Sequence, residues 1–152
     1  MHIQTYKEMK VLFIYRNPNL GYSIGKVFKP IEEEMRKYAE VDCVYLPVAN
    51  YKPVGFVKNI RAARAAVAKK HYDIVHITGA EHYLLPFLRK ERTVMTVHDL
   101  GFYTNQPFGL RKIWKYCLWI KTLKYAGVVT FISEKSQREA ERFVRFKPGH
   151  RQ

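Results

Sequence analysis

Five short apolar runs, separated by stretches with helical periodicity, constrain this chain more than any other feature of its sequence. The runs fall at 10–15 (Lys-Val-Leu-Phe-Ile-Tyr), 42–46, 73–78, 93–97 and 128–132. Runs this short, rich in β-branched residues and without polar alternation, read as strands covered on both faces, as in parallel sheets. Between the first two, Ile24, Val27, Phe28, Ile31, Met35 and Tyr38 recur on one helical face over 24–38. Val57, Ile60, Arg64, Val67 and Ala68 trace the next helix over 55–70, and Ala62, Ala63, Ala65 and Ala66 favour it. A short helix limited by Pro86 is expected over 81–88 and a longer one over 110–125. The last helix runs to about 144, capped by Ser133 or by Ser136, which has Glu139 at capping-box spacing. Strands alternating with helices predict an α/β fold. The expected architecture is a Rossmann-like, doubly wound, mainly parallel sheet with helices on both faces.

The chain has 152 residues, about one ordinary domain. Residues 1–8 are polar, lack the apolar core of a signal peptide and read as an extension; 9–144 read as the folded domain and 145–152 as a disordered tail. No apolar run approaches the ~20 residues of a membrane span. Cys43 and Cys117 lie far apart and offer neither a disulfide framework nor metal-ligand spacing. A reducing cytoplasm is therefore the expected compartment, with a peripheral position on the inner membrane face left open.

Lys and Arg outnumber Asp and Glu by 27 to 13, a net charge of +14, which favours polyanionic partners. Nucleic acid finds no further support, since there is no RNA-binding aromatic signature and no helix-turn-helix spacing. On a helical wheel for 110–124, Leu110, Ile113, Trp114, Cys117 and Ile120 share one side. Arg111, Lys112, Lys115 and Thr122 share the other, with Trp119 among them. A tryptophan beside lysines suits an anionic membrane interface, with Arg111, Lys112, Lys115 and Trp119 facing it. The alternative is a core-packed helix with a solvated lysine face and Trp119 covered by the preceding loop.

In an open α/β sheet ligands gather at the carboxyl ends of the strands. The fourth run leads there into His98 and Asp99. His98 can donate to a sugar hydroxyl or serve as a general base. It equally reads as packed or solvated, with Asp99 as a turn cap. Gly21 and Gly25 flank the start of the first helix, where backbone amides can approach a phosphate. Their spacing is not the dinucleotide fingerprint, and turn geometry alone explains them as well. His76 reads as a core residue inside its strand, whereas His82, in Gly79-Ala80-Glu81-His82, is better placed for a ligand. No nucleophile elbow and no P-loop is present.

In order, Asp73-Ile-Val-His-Ile, Thr93-Val-Met-Thr-Val-His-Asp-Leu and Val128-Val-Thr-Phe-Ile-Ser-Glu-Lys-Ser resemble the amino-terminal domain of the GT-B glycosyltransferases of family 4, over residues 10–144. The resemblance implies one half of a GT-B fold. It implies a retaining transferase that moves a sugar from a nucleotide-sugar to an acceptor, usually without a metal and with no cofactor beyond the donor. Donor and acceptor meet between two Rossmann-like domains. By that likeness Gly21, Tyr22, Ser23 and Gly25 face the donor diphosphate and sugar. His98 lies against the transferred sugar, with Asp99 shaping its loop, and both count as catalytic. Gly79, Glu81, His82, Tyr103 and Thr104 border the acceptor. The acceptor would be a glycan or a lipid-linked glycan of envelope polysaccharide synthesis.

This sequence departs from the family in separating the glycines of the first loop by Tyr22-Ser23-Ile24. It also holds no counterpart of the donor-binding second domain with its paired glutamates. The chain is therefore expected to have little or no transferase activity without that domain or a partner subunit. The competing reading is a non-enzymatic basic Rossmann-like module that binds anionic membrane or glycan.

Overall fold

A computed structural model of the chain describes residues 9–146. The expected extension over 1–8 and most of the expected tail, 147–152, lie outside the described residues. Two compact units follow one another along the chain, the first ending at Thr78 and the second starting at Gly79. The class is the expected one, α/β and Rossmann-like, with strands alternating with helices.

In the first unit, strand β1 (Lys10–Tyr15) lies between β2 (Glu40–Tyr45) and β3 (Ile74–Ile77), and both pairings are parallel. Every residue of β1 from Val11 to Tyr15 is buried, so both its faces are covered. Val11, Phe13 and Tyr15 form one core with Ile24 and Phe28 of helix α1 (Ser23–Met35) and with Ala39 and Val41. Leu12 and Ile14, on the opposite face, are equally buried. That double burial is why the run shows no polar alternation.

The buried stripe of α1 is Ile24, Phe28 and Glu32, not the wholly apolar face expected; Val27, Ile31 and Tyr38 are exposed. A carboxylate takes the third place because the side chains of Tyr15, Lys29, Arg36 and Cys43 all donate to it there. Tyr15 Oη donates to Glu32 Oε2 at 2.9 Å, Lys29 Nζ to the same oxygen at 3.0 Å, and Arg36 Nη2 to Oε1 at 2.7 Å. Arg36 Nη1 also donates to the Val41 carbonyl at 2.7 Å, tying α1 to β2. Burial alone would raise the Glu32 carboxyl, but hydrogen bonds from Arg36, Cys43, Lys29 and Tyr15 more than offset it and hold it at about 2. Burial and the neighbouring carboxylate push the Cys43 thiol up to about 12.

Helix α2 (Pro53–Ala68) opens on proline at its first position, where no N–H is needed. Its buried side is Gly55, Phe56, Asn59, Ala63 and Ala66, rotated from the expected stripe; Val57 and Arg64 are exposed. The rotation follows a polar residue. Asn59 bonds both the N–H and the carbonyl of Val48, at 3.0 and 3.1 Å, and so pins the loop after β2. A Cβ on Gly55 would stand 2.8 Å from the Asn50 carbonyl oxygen, which also holds that side inward.

In the second unit a tight 3-10 stretch (His82–Phe87) takes the place of the expected short helix. Strand β4 (Thr93–Val97) pairs in parallel with β5 (Val128–Phe131). The expected loop over 99–109 contains a one-turn helix, α3 (Gly101–Thr104). The expected helix over 110–125 is three pieces: α4 (Leu110–Lys115), a π turn (Tyr116–Ile120) and a 3-10 turn (Lys121–Tyr125). Ser133, not Ser136, caps the last helix, α5 (Glu134–Glu141). Phe146, assigned from sequence to a disordered tail, packs edge-on against Phe131 at 5.9 Å. Among the described residues no helix is long and apolar enough to cross a membrane.

The Glu32 carboxyl is depressed in the folded chain, so its contribution is present above the unfolded value, near 4.5, and is lost as pH falls toward about 2. Glu32→Gln should cost about 1–3 kcal/mol at neutral pH. It should also flatten the acid limb of thermal stability between those pH values. Acid limbs of equal slope in variant and wild type would refute this account of Glu32.

Candidate functional site

The carboxyl end of β1 leads into Arg16, a 3-10 turn (Pro18–Leu20) and Gly21, whose φ of +111° suits only glycine. Asn17 braces this turn, its side chain accepting from the Asn19 N–H and donating to the Leu46 carbonyl. α1 then begins with Tyr22 at its N-cap and no side-chain cap on its first amides. A cavity of about 480 Å³ opens here, lined by Tyr15, Arg16, Gly21, Tyr22, Gly25, Lys26, Lys29 and Tyr45 among others. Tyr15 and Tyr45 stack at 5.1 Å, a consequence of their pairing in register on adjacent parallel strands, and Lys29 lies over both rings. Arg16 reaches the Gly21 carbonyl through one terminal nitrogen, while its buried Nε has no partner among the described residues. A Cβ on Gly25 would meet nothing within 4 Å, so the backbone there borders open space.

Uncapped helix amides, three cations and two stacked phenols form a pocket suited to an anion carrying a flat or apolar part. Of the residues expected at the donor, Gly21, Tyr22 and Gly25 line it, and Ser23 opens the helix behind them. Sequence reasoning missed Arg16, Lys26, Lys29 and the Tyr15–Tyr45 pair. The spacing of Lys26 and Lys29 on one helical turn was the available signal.

In the second unit His98 and Asp99 follow β4 directly, as expected. Asp99 Oδ1 accepts from the Gly101 N–H at 2.9 Å and so shapes the turn into α3. The His98 carbonyl accepts from Ser136 Oγ at 2.7 Å, while Ser133 Oγ accepts from the Ser136 N–H at 3.2 Å. The Ser133–Ser136 pair thus holds the backbone at which the His98 side chain, half-buried, leaves β4. In place of the cap expected of it, Ser136 ties α5 to the backbone at the end of β4.

The residues expected at the acceptor are largely drawn inside. Gly79 is buried, and Glu81 and His82 are each 1% exposed. Tyr103 packs edge-on against Phe143 at 5.0 Å, and Thr104 Oγ1 donates to the Leu100 carbonyl. His82 Nδ1 stands 2.6 Å from the Trp119 carbonyl, which can only accept, so the proton sits on Nδ1. Trp119 Nε1 in turn donates to the Ala80 carbonyl at 2.5 Å. His82 and Trp119 therefore clamp this segment from inside, buried at 1% and 7% exposure rather than facing a ligand or a membrane as expected.

Two features invert the expected wheel. Lys112 and Lys115 lean inward, donating to the carbonyls of Gln106, just past the end of α3, and of Phe102, within its single turn, at 3.1 and 2.9 Å, where cations are favoured. The π turn then shifts the helical phase and carries Trp119 and Ile120 into the core. Leu110, Ile113, Trp114 and Cys117, expected inside, are exposed.

A model of glycosyltransferase family 4 matches residues 26–150. This chain belongs to that family. A comparison with curated proteins finds no match. Membership makes it a glycosyltransferase-associated domain, for which binding of a sugar donor and acceptor is the general expectation.

Burial pushes the His82 imidazole down to about 4, against the Trp119 hydrogen bond, which favours the charged form, and with His98 adding to the depression. The folded chain therefore refuses a proton that the unfolded chain takes up near pH 6.5. Stability is full above that value and falls as pH drops toward about 4. His82→Gln should narrow the thermal gap to wild type on acidification across this window. A gap independent of pH would remove His82 from the acid sensitivity.

Proposed function

We propose that this chain supplies the acceptor-side wall of a retaining transferase, which moves a sugar from a nucleotide-sugar to a glycan or lipid-linked acceptor in glycan or envelope polysaccharide synthesis. The observation that carries this is the cavity at the end of β1, where the uncapped start of α1 meets Arg16, Lys26 and Lys29. In transfer the bond from the sugar's anomeric carbon to the donor phosphate breaks, and a bond to the acceptor oxygen forms. The acceptor proton passes to the leaving diphosphate. Charge develops on that diphosphate, and fixed helix amides with a guanidinium stabilise it without reorganisation. The acceptor contacts expected of Glu81 and His82 do not enter this reading, because both are buried.

In the second unit, His98 at the end of β4 is the side chain assigned to the transferred sugar, as a hydrogen-bonding partner of its hydroxyls. Asp99 serves as the turn-maker that its bond to Gly101 supports. Transfer in this family needs two Rossmann-like walls, and the second, with the paired glutamates, would hold the nucleotide. No metal and no cofactor beyond the donor is assigned.

Gly25→Val tests the cavity directly. A side chain has open space there, so the fold should change by less than about 0.5 kcal/mol. The valine would fill the cavity mouth and weaken nucleotide-sugar affinity, measured by calorimetry on the two-domain enzyme, by about tenfold or more. Unchanged affinity would dismiss the cavity as the donor site. In the same enzyme His98→Ala should abolish transfer while leaving the melt intact, and the anomeric proton of the product should report retention. These 152 residues alone should turn over no nucleotide-sugar; measurable turnover would refute the requirement for a second wall.

A further inference from the structure

Exposed apolar side chains concentrate around the start of α4. Phe108 is 90% exposed, Leu110 86%, Trp114 52% and Ile113 50%. Leu110, Ile113 and Trp114 stand three and four positions apart on α4 and so share one face, with Phe108 just before it across Gly109. Scattered apolar residues on a surface need no explanation, but a row on one helical face does. The packing of α4 does not require it, because the lysine side is the side held inward.

The charge along this segment of chain is one-sided. Between Asp99 and Glu134 there is no acidic residue, whereas Arg111, Lys112, Lys115, Lys121 and Lys124 all fall in that interval. The ion pairs among the described residues lie elsewhere. Lys112 and Lys115 bond neutral oxygens, which leaves their charge uncompensated, and Arg111, Lys121 and Lys124 are exposed. Aromatic and aliphatic side chains within an acid-free cationic segment match the two layers of an anionic bilayer surface. The acyl boundary takes the first and the phosphates take the second. A second copy of the chain is a poorer occupant, since each copy carries +14.

We propose that residues 108–124 dock on an anionic lipid bilayer, with Phe108, Leu110, Ile113 and Trp114 entering the headgroup–acyl boundary and Arg111, Lys121 and Lys124 over the lipid phosphates. The tryptophan at the membrane is Trp114, not the buried Trp119. The surface is independent of sugar transfer and stands or falls without it.

The test is co-sedimentation of the chain with vesicles of phosphatidylcholine alone and of phosphatidylcholine with phosphatidylglycerol. Partitioning should be at least about tenfold stronger on the anionic vesicles and should fall steeply between roughly 0.05 and 0.5 M NaCl. The double variant Phe108→Ser/Leu110→Ser should lose about tenfold or more of that binding with an unchanged thermal midpoint. Trp114 and Trp119 are the only tryptophans. Vesicles should therefore shift the emission to the blue in wild type and not in Trp114→Phe, which should still sediment. No binding to anionic vesicles, or binding indifferent to the double variant, would overturn the proposal. A dimer in velocity sedimentation that the double variant dissolves would give the face to a second copy and overturn it as well.

Discussion

β1 is the constraint on which the first unit depends. A central parallel strand must have both faces covered, because its backbone is paired on both edges and its side chains alternate between layers. Val11, Phe13 and Tyr15 draw α1 onto one face, and Leu12 and Ile14 are buried on the other. The last residue of the strand is the informative one. Tyr15 is wide enough to reach past the core, and its hydroxyl must find a partner when buried. It finds Glu32, whose carboxylate gathers Lys29 and Arg36 in turn. A polar network thus closes the apolar layer at the point where the chain turns out of the strand. The cavity at the glycine turn is a by-product of that closure, since Tyr15, Tyr45 and Lys29 belong to both.

The second unit meets a similar demand by other means. Its helical segment is broken into α, π and 3-10 turns, a costly sequence of geometries that needs specific repayment. Trp119 supplies it, giving its indole N–H to Ala80 and its carbonyl to His82 while its ring packs against Tyr83 and Phe102. The segment before Tyr83 is thereby bound to the middle of the π turn. At the end of β4, the hydroxyl of Ser136 performs a comparable service for the His98 carbonyl. The short motifs that signal the family in sequence, His98-Asp99 and Ser133-Glu134, are thus mechanically one object: the serines of the second hold the backbone of the first.

Much of the fold was legible because it rests on local pattern. The bounds of β1 and β4 are those of their apolar runs, since a buried strand has no other composition available. Helix faces were less legible. A wheel assumes that the apolar side goes in, and it failed wherever a polar group found a buried partner: Glu32 in α1, Asn59 in α2, Lys112 and Lys115 in α4. Of the candidate residues in the two units, the glycines at the β1 turn and the pair after β4 were readable from position in the alternation. Arg16 and Tyr45 were not, because they come from separate elements and no spacing along the chain links them.

The sequence by itself determined the class of fold, the place and order of the strands along the chain, the glycine-bearing turn after the first of them, and family membership. All follow from periodicity, from composition or from short motifs, which are properties of neighbours along the chain. Only the tertiary structure decided which histidine and which tryptophan are structural. His82 and Trp119 differ from His98 and Trp114 less in residue type than in what lies across from them. Burial and hydrogen-bond partners come from residues tens of positions away, and the desolvation that holds His82 neutral exists only once those residues have closed over it.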